Sequence, residues 1–426
     1  MSAVNVIADF LSRRTFPVLL AVWGLFAPAM QGIAAEGGNG QAEVRVVAIL
    51  SADELGDRLR YPSFLAYDKD MDELYMTVGG AGKVIVYDSN FFPTVSLGPG
   101  RGADGARGIF INNDGWIYLC QGETENSPGR LTIFNPAFFP EQEILFDSIP
   151  GVEKFIPKDM VVGLTGNLYV VGQNNRGLLV LDQDGNFSHW LKPQDQIFDM
   201  EVVEAAQKER EESDPELTEF GRIIQDEVEA ADIAEFLPRE LIPGSVASRL
   251  EERRSGMGPV MVVDIERDSE GHLYILSEET GKVYVYSPFE ELLFTFGQKG
   301  GSTGKMSRPR SLVVDEKKKA VYVVDYMRHT ILIFDLGGKF MYEFGGLGTG
   351  PGWFQYPTGL TLTRDGLLAV ADLFNHRVQI LDVRFEYKFP LFQSPETMEP
   401  PILMRPEEAK PDIDAGEEDI LEPAPL

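Results

Sequence analysis

Cysteine is almost missing from the sequence, since Cys120 is the single one among 426 residues. One cysteine permits no internal disulfide, and without a Cys-x-x-Cys-His sequence no c-type haem can be attached. Redox chemistry of the protein's own is therefore not expected, and the sequence predicts no bound cofactor.

Basic residues are few relative to acidic ones. The chain has 38 lysines and arginines against 67 aspartates and glutamates, which gives a formal net charge of -29. A surface with this charge repels the phosphate backbone of nucleic acids. Nucleic acid is therefore excluded as an expected partner, whereas a basic protein would be attracted.

An apolar run near the N-terminus, Phe16–Met30, is shorter than the roughly 20 residues that a membrane-spanning helix needs. It follows the basic pair Arg13–Arg14 and precedes the small residues "GIAA". This order is typical of a signal peptide, with cleavage near Ala34 or Ala35. We predict that residues 1–35 are removed and that the mature protein is periplasmic or extracellular, without a membrane span. An uncleaved anchor is the alternative.

The basic pair lies within "SRRTF", which resembles the twin-arginine export signal of bacteria. An ordinary basic region of a secretory signal explains the pair equally well. At the other end, residues 393–426 are rich in proline and acids and poor in aromatic side chains, a composition that predicts disorder.

A unit of about 48 residues recurs between these ends. Each copy contains three short runs rich in valine, isoleucine and tyrosine, separated by turn residues such as "DG". The third runs end at six positions, namely Asp88, Asn135, Asp182, Ser287, Asp335 and Asp382. Repeats of this length built from short strands indicate the blades of a β-propeller. The sequence predicts an all-β, six-bladed propeller over residues 43–392, with its ring closed by either Val44–Leu50 or Phe385–Phe392.

One interval between repeats is longer and changes its pattern. Within residues 199–258, Asp214 and Pro215 are typical of a helix start, and apolar side chains follow at three- and four-residue steps. We predict an acidic helical insertion between blades 3 and 4. It is either a decoration of the ring or a docking element.

The last two repeats, "SRPRSLVVDEKKKAVYVVDYMRHTILIFD" and "QYPTGLTLTRDGLLAVADLFNHRVQILD", resemble NHL repeats, which are named after an Asn-His-Leu motif. Each follows a glycine-rich stretch, "FGQKGGSTGKM" or "FGGLGTGPGWF". In the first four repeats the resemblance is limited to strand pattern and spacing. It implies a propeller that binds proteins or other polymers.

The polar signature "DLFNHR" lies in the turn between the second and third strands of the last repeat, and "DYMRHT" is its imperfect copy in the repeat before. Recurrence favours a structural turn over an active site, because asparagine tolerates left-handed backbone and aspartate accepts turn N–H groups. In a propeller these signature turns share one face, the signature face, with the loops that join successive blades. The candidate residues on this face are Asn174, Asn175, Arg176, Glu278, Glu279, Asp325, Arg328, His329, Asp372, Asn375, His376 and Arg377.

The resemblance also implies a rival function, because related propellers include a zinc-dependent lyase and calcium-dependent hydrolases with metals near the axis. The four histidines, His189, His272, His329 and His376, are not expected to converge on zinc. Asp68, Asn112 and Asp315 could reach a calcium ion near the axis, or could form turns. We predict no metal ligands.

The expected function is therefore a non-enzymatic binding scaffold. It engages a protein partner, which the negative charge favours to be basic, through the signature face and the insertion. A calcium- or zinc-dependent hydrolase or lyase with its site near the propeller axis is the alternative.

Overall fold

The computed structural model describes residues 33–34, 42–79, 82–125, 127–146, 149, 155–197 and 257–385. The predicted tail and most of the predicted signal peptide and insertion lie outside these residues. Within the described part of the chain, no helix is long and apolar enough to cross a membrane.

Five antiparallel four-stranded sheets and one five-stranded sheet of the described residues are the blades of a propeller. Two strands come first in the chain, Ile33–Ala34 (β1) and Ala42–Leu50 (β2). Blades 1 to 3 consist of Pro62–Asp68 (β3), Glu73–Val78 (β4), Lys83–Tyr87 (β5) and Pro93–Leu97 (β6); Ala106–Ile111 (β7), Ile117–Gln121 (β8), Arg130–Phe134 (β9) and Pro140–Leu145 (β10); and Pro157–Val162 (β11), Leu168–Gly172 (β12), Leu178–Leu181 (β13) and Phe187–Leu191 (β14).

A two-stranded ladder of Gln194–Gln196 (β15) and Met257–Pro259 (β16) precedes the second half of the ring. Blades 4 to 6 consist of Asp264–Arg267 (β17), Leu273–Ser277 (β18), Lys282–Tyr286 (β19) and Leu292–Phe296 (β20); Pro309–Asp315 (β21), Ala320–Asp325 (β22), Thr330–Asp335 (β23) and Phe340–Gly345 (β24); and Pro357–Leu362 (β25), Leu368–Asp372 (β26) and Arg377–Phe385 (β27), completed by β2. Two single-turn 3-10 helices, Pro99–Arg101 and Leu373–Asn375, lie in connections.

The ring is closed by the N-terminal strand. β2 pairs antiparallel with β27, from Ala42 opposite Phe385 to Leu50 opposite Val378. Of the two strands that the sequence offered for closure, the N-terminal one thus becomes the outer strand of blade 6. Phe385, the first residue of the alternative closing segment Phe385–Phe392, cannot be part of the outer strand because it belongs to β27. Residues 386–392 lie outside the described part of the chain.

A recurring side chain at the end of the third strand in blades 1 to 5 explains the sequence period. Asp88 Oδ1 accepts the backbone N–H groups of Asn90 (2.9 Å) and Phe92 (2.8 Å). Asn135, Asp182 and Ser287 hold the same turn in their own blades. A short acceptor side chain closes this turn and returns the chain into the fourth strand.

The core lies between blades rather than in one centre. Strands two and three of each blade are almost wholly buried, because each sheet packs one face on either neighbour. Tyr284, for example, packs with Val171 and Leu178 of blade 3 across the boundary of blades 3 and 4. The six inner strands contact one another in sequence around the axis. The predicted six-bladed architecture is therefore confirmed.

The insertion between blades 3 and 4 leaves and returns through the β15–β16 ladder. Asp195 of β15 binds Lys282 Nζ (2.8 Å) and the Tyr284 hydroxyl (2.6 Å) of blade 4, which fastens this stem to the ring. Residues 257–258, at the end of the predicted insertion, are a strand because they pair with β15. The predicted helices of the insertion lie outside the described residues.

Candidate functional site

The signature turn of blade 6 is organised by the fully buried carboxylate of Asp372. Its Oδ2 accepts hydrogen bonds from Asn375 (2.8 Å), Arg377 Nε (2.8 Å) and Gln379 (3.1 Å), and its Oδ1 accepts the backbone N–H of Gln355 (2.7 Å). Asn375 and Arg377 also donate hydrogen bonds to three backbone carbonyls of the glycine-rich loop before the blade. The signature therefore builds the turn and fastens this loop.

The signature turn of blade 5 has the same organisation. The buried Asp325 accepts four backbone N–H groups, two from the preceding loop and two from its own turn. Arg328 forms a bidentate ion pair with Glu343 of the outer strand, with distances of 3.0 Å and 2.7 Å. Both side chains of this pair are largely buried, so they stabilise the blade rather than face a partner.

The signature turns of blades 3 and 4 are joined across their boundary. The guanidinium of Arg176 binds both carboxylate oxygens of Glu279, at 2.8 Å and 2.9 Å, and donates to a backbone carbonyl of β16. Glu278 lies 3.3 Å from Arg308 Nε and 3.3 Å from Arg310 Nη1. These pairs connect blades 3, 4 and 5 and the stem of the insertion.

The other candidates in blade 3, Asn174 and Asn175, form the tip of its turn. Asn174 is exposed and has a left-handed backbone, with φ of 60°, which asparagine tolerates. Overall, the twelve candidates share one face but form separate turn networks instead of one cluster. As contacts for a partner they remain predictions, since most of their polar atoms bind the protein itself.

The histidines of blades 3 and 4 lie in separate hydrogen bonds with carboxylates. His189 Nε2 lies 2.5 Å from Glu290, and His272 Nδ1 lies 2.9 Å from Asp268. Among the described residues, no three histidine, cysteine, aspartate or glutamate side chains form a group that could hold a metal ion.

The histidines of blades 5 and 6 occupy equivalent left-handed positions, with φ of 58° at His329 and 56° at His376. His329 Nδ1 accepts the backbone N–H of Tyr356 (3.0 Å). His376 packs its ring on Tyr61, with centroids 4.9 Å apart, and its Nδ1 has no hydrogen-bond partner among the described residues.

We expect His329 to make the protein less stable in mild acid. Burial lowers the pKa of His329 below its usual 6.5, although Asp325 and Asp372 oppose this shift. A depressed pKa means that the folded state binds fewer protons than the unfolded state, so stability is present above about pH 6.5 and falls as the pH falls toward the folded pKa. Melting temperatures across about pH 8 to pH 5 measure this.

The variant His329→Asn isolates the effect, because asparagine tolerates the left-handed backbone and does not titrate. Its pH dependence should be flatter than that of the wild type. Equal slopes for the two proteins in this pH window would show that His329 does not titrate on unfolding.

A row of aromatic side chains, two of them exposed and two half-buried, lies on the signature face. Four rings follow one another, with centroid distances of 5.8 Å from Tyr61 to Phe374, 5.2 Å from Phe374 to Tyr356 and 4.8 Å from Tyr356 to Tyr326. We call Tyr61, Phe374, Tyr356 and Tyr326 the aromatic crest. Tyr61 and Phe374 are each 42% exposed.

The crest joins parts of blades 1, 5 and 6. Tyr61 and Tyr356 precede the prolines that begin the inner strands of blades 1 and 6, and both have left-handed backbone, with φ of 58° and 56°. This conformation is costly for an aromatic residue and is enriched at ligand-contacting positions. Within the described residues, no hydrogen bond uses the hydroxyl groups of the crest tyrosines.

The glycine-rich loop before blade 6 carries another exposed ring. Trp353 is 44% exposed and lies over Gly346, whose φ is 140° and where an added Cβ would stand 2.6 Å from the indole. A side chain at this glycine would displace Trp353. The glycines of the NHL-type lead-in therefore make room for an aromatic surface.

The three calcium candidates form turns on the opposite face. Asp68 Oδ1 accepts the N–H groups of Asp70 and Met71, and Asn112 Oδ1 accepts those of Asp114 and Trp116. Asp315 Oδ1 accepts the N–H of Lys318 in the same way. A shared calcium site of these three side chains has no support in this arrangement.

A buried charged group occupies the propeller axis. Asp159 of β11 and Asp264 of β17 are joined by a hydrogen bond between their side chains, and burial raises the pKa of each carboxyl. Asp264 Oδ2 also accepts the N–H of Leu312 (2.7 Å). Lys158 donates to the carbonyl of Val263 (2.6 Å), and burial lowers its pKa. Two buried carboxyls this close favour a form in which they share one proton.

The fold and the signature turns define a six-bladed β-propeller with NHL-type repeats. A protein-family model described as a 6-bladed beta-propeller matches residues 303–389. NHL repeat-containing protein 2 of Bos taurus is 30% identical over 116 residues, which cover 24% of this chain and 16% of that protein. The resemblance to NHL repeats is thereby confirmed, and the match spans only a small part of the relative's length.

One solved structure supports the fold. A protein of unknown function from Bacteroides thetaiotaomicron VPI-5482 aligns with a TM-score of 0.51 and 13% identity, over 81% of this chain and 77% of that chain. Virginiamycin B lyase from Staphylococcus aureus aligns with a TM-score of 0.43 and 12% identity, over 75% and 80% of the two chains. At these identities the likeness concerns the fold alone.

Proposed function

We propose that the protein is a binding propeller that engages a protein partner through its signature face. The observation that carries this proposal is the aromatic crest. Exposed aromatic side chains are the residues that most often dominate protein–protein interfaces, because they bury a large apolar area at a small entropic cost. The unused phenol hydroxyls supply hydrogen-bond donors at the same surface.

The surroundings of the crest support a protein rather than a small molecule as the partner. Met327 and Leu347, which are 44% and 63% exposed, lie on the same face and enlarge its apolar surface. The ion pairs of the signature turns hold this face in one shape, so few side chains need to be ordered on binding. The net charge of -29 favours a basic partner by accelerating its encounter.

We further propose that this binding takes place outside the cytoplasm of a bacterium. The support is the N-terminal order of basic pair, apolar run and small residues. Cleavage near Ala34 or Ala35 leaves β2 intact, because this strand begins at Ala42. The propeller can therefore close after such processing.

The crest is tested by affinity capture with the purified protein and by titration of the captured partner. In the variant Tyr61→Asn/Phe374→Ser, asparagine keeps the left-handed backbone while both exposed rings are lost. We expect at least about tenfold weaker binding, because each central aromatic contact contributes about 2 kcal/mol or more. The matched control is Phe92→Ser/Phe139→Ser, which removes two rings of 68% and 65% exposure from the opposite face.

A partner that binds the crest variant and the wild type equally would contradict the proposed face. Replacement of residues 203–254 by a short Gly-Ser bridge distinguishes the contribution of the insertion to binding from that of the crest. The ring should still form, because β15 and β16 are paired at the base of the insertion. If the deletion variant keeps full, salt-sensitive binding, the insertion is a decoration.

A further inference from the structure

Two cavities follow one another along the propeller axis, away from the signature face. The larger has a volume of about 470 Å³ and is bordered by the first-to-second-strand turns of blades 1 and 2, so it opens on the opposite face. The smaller, of about 40 Å³, lies deeper, against Asp159 and Asp264. Glu266 and Phe110 line both cavities. We call the larger cavity the axial chamber; its volume is within the usual range of small-molecule sites.

Two neighbouring residues of β17, Glu266 and Arg267, line the axial chamber. Among the described residues, the carboxylate of Glu266 takes part in no hydrogen bond or ion pair, and the buried Nε of Arg267 has no hydrogen-bond partner. The other charged groups of the axis differ, since Asp159 and Asp264 bond to each other. Glu266 is only half-buried, so its carboxylate is available to a ligand in the chamber.

The charges around Glu266 indicate which charged groups a ligand of the chamber carries. Burial raises the pKa of Glu266 to about 8, Lys69 and Arg267 oppose the shift, and Asp159 and Asp268 add to it. A cationic group bound to this carboxylate would restore its ionised form. Lys69 and Arg267 line the same chamber, and their positive charges favour binding of an anionic group of the ligand.

We propose that the axial chamber binds a small zwitterion of amino-acid to dipeptide size, with its ammonium on Glu266 and its carboxylate on Arg267. Each unsatisfied group then gains a partner of opposite charge, and the apolar wall around Phe110 receives the uncharged part of the ligand. This site is separate from the signature face and does not depend on the proposed protein binding.

Calorimetric titration of the purified full chain with L-alanyl-L-alanine tests the site. We expect one binding site and about 10- to 100-fold weaker binding for Glu266→Gln, because a charge-assisted hydrogen bond is lost. Glu270→Gln is the matched control, since that carboxylate is on the following turn and is 81% exposed. It should bind as the wild type does.

Two further readouts use the wild-type protein and do not depend on a variant that folds. The N-acetylated dipeptide and the dipeptide amide each lack one charge, and each should bind at least about tenfold more weakly. The affinity for the free dipeptide should rise about tenfold per unit as the pH increases from about 6 toward 8, where Glu266 ionises. Absence of binding at millimolar dipeptide, or equal binding of the free and N-acetylated forms, would overturn the proposal.

Discussion

Replacing Asp372 by alanine is expected to lower the free energy of unfolding by about 3–5 kcal/mol, the usual cost of removing one partner from a buried ion pair. The carboxylate is fully buried and binds Arg377, which is itself largely buried. Without it, the guanidinium and the donors of Asn375 and Gln379 lose their shared acceptor. Urea unfolding followed by circular dichroism measures the change.

Asp382→Ala is the control for this loss. Asp382 binds Arg45 and Arg384, whose side chains are 55% and 66% exposed, so its removal should cost no more than about 1 kcal/mol. If the two substitutions destabilise the protein to the same extent, the network around Asp372 is not the stabilising element that its geometry indicates.

Removal of residues 1–50 is expected to abolish the stable propeller, whereas removal of residues 1–41 should preserve it. The longer truncation deletes β2 and leaves β27 as an open sheet edge, with the buried contacts of Val44 and Leu50 lost. Net stabilities of about 5–15 kcal/mol do not survive the loss of a whole strand, and an open edge promotes aggregation. Thermal melting and gel filtration of the two proteins give the comparison.

A monomeric, cooperatively melting protein that starts at Ser51 would contradict this prediction. It would require another segment to take the outer place of blade 6. The shorter truncation tests at the same time whether β1, which pairs with Glu43 and Val44, contributes to closure.

The repeating architecture could be predicted because it is encoded locally. Alternating apolar residues define each strand. Asp88 and its equivalents close the turn after the third strand of their own blades, through bonds to N–H groups two and four residues later. The same reasoning placed the signature turns on one face and favoured a structural role for Asp372. Closure by Val44–Leu50 stayed undecided, because an edge strand and its rival have the same pattern.

The crest and the axial chamber were missed because they depend on distant segments. Tyr61 and Phe374 are 313 positions apart in the sequence, and only the closed ring brings their rings to 5.8 Å. The repeated Tyr-Pro of "RYPS" and "QYPT" was the available signal for the crest. For Glu266 no local signal exists, since alternation places it on a strand but not beside an empty space at the axis.

Ring closure by β2 also sets the order of events during folding. Ala42 can pair only after its partner in the ladder, Phe385, has been synthesised. The nascent chain therefore holds an unpaired strand during synthesis of the five blades between them. Contacts between such distant residues form late and slowly. Exposed edges at that stage invite pairing with other chains, which makes a folding chaperone for the incomplete ring an expected requirement in the cell.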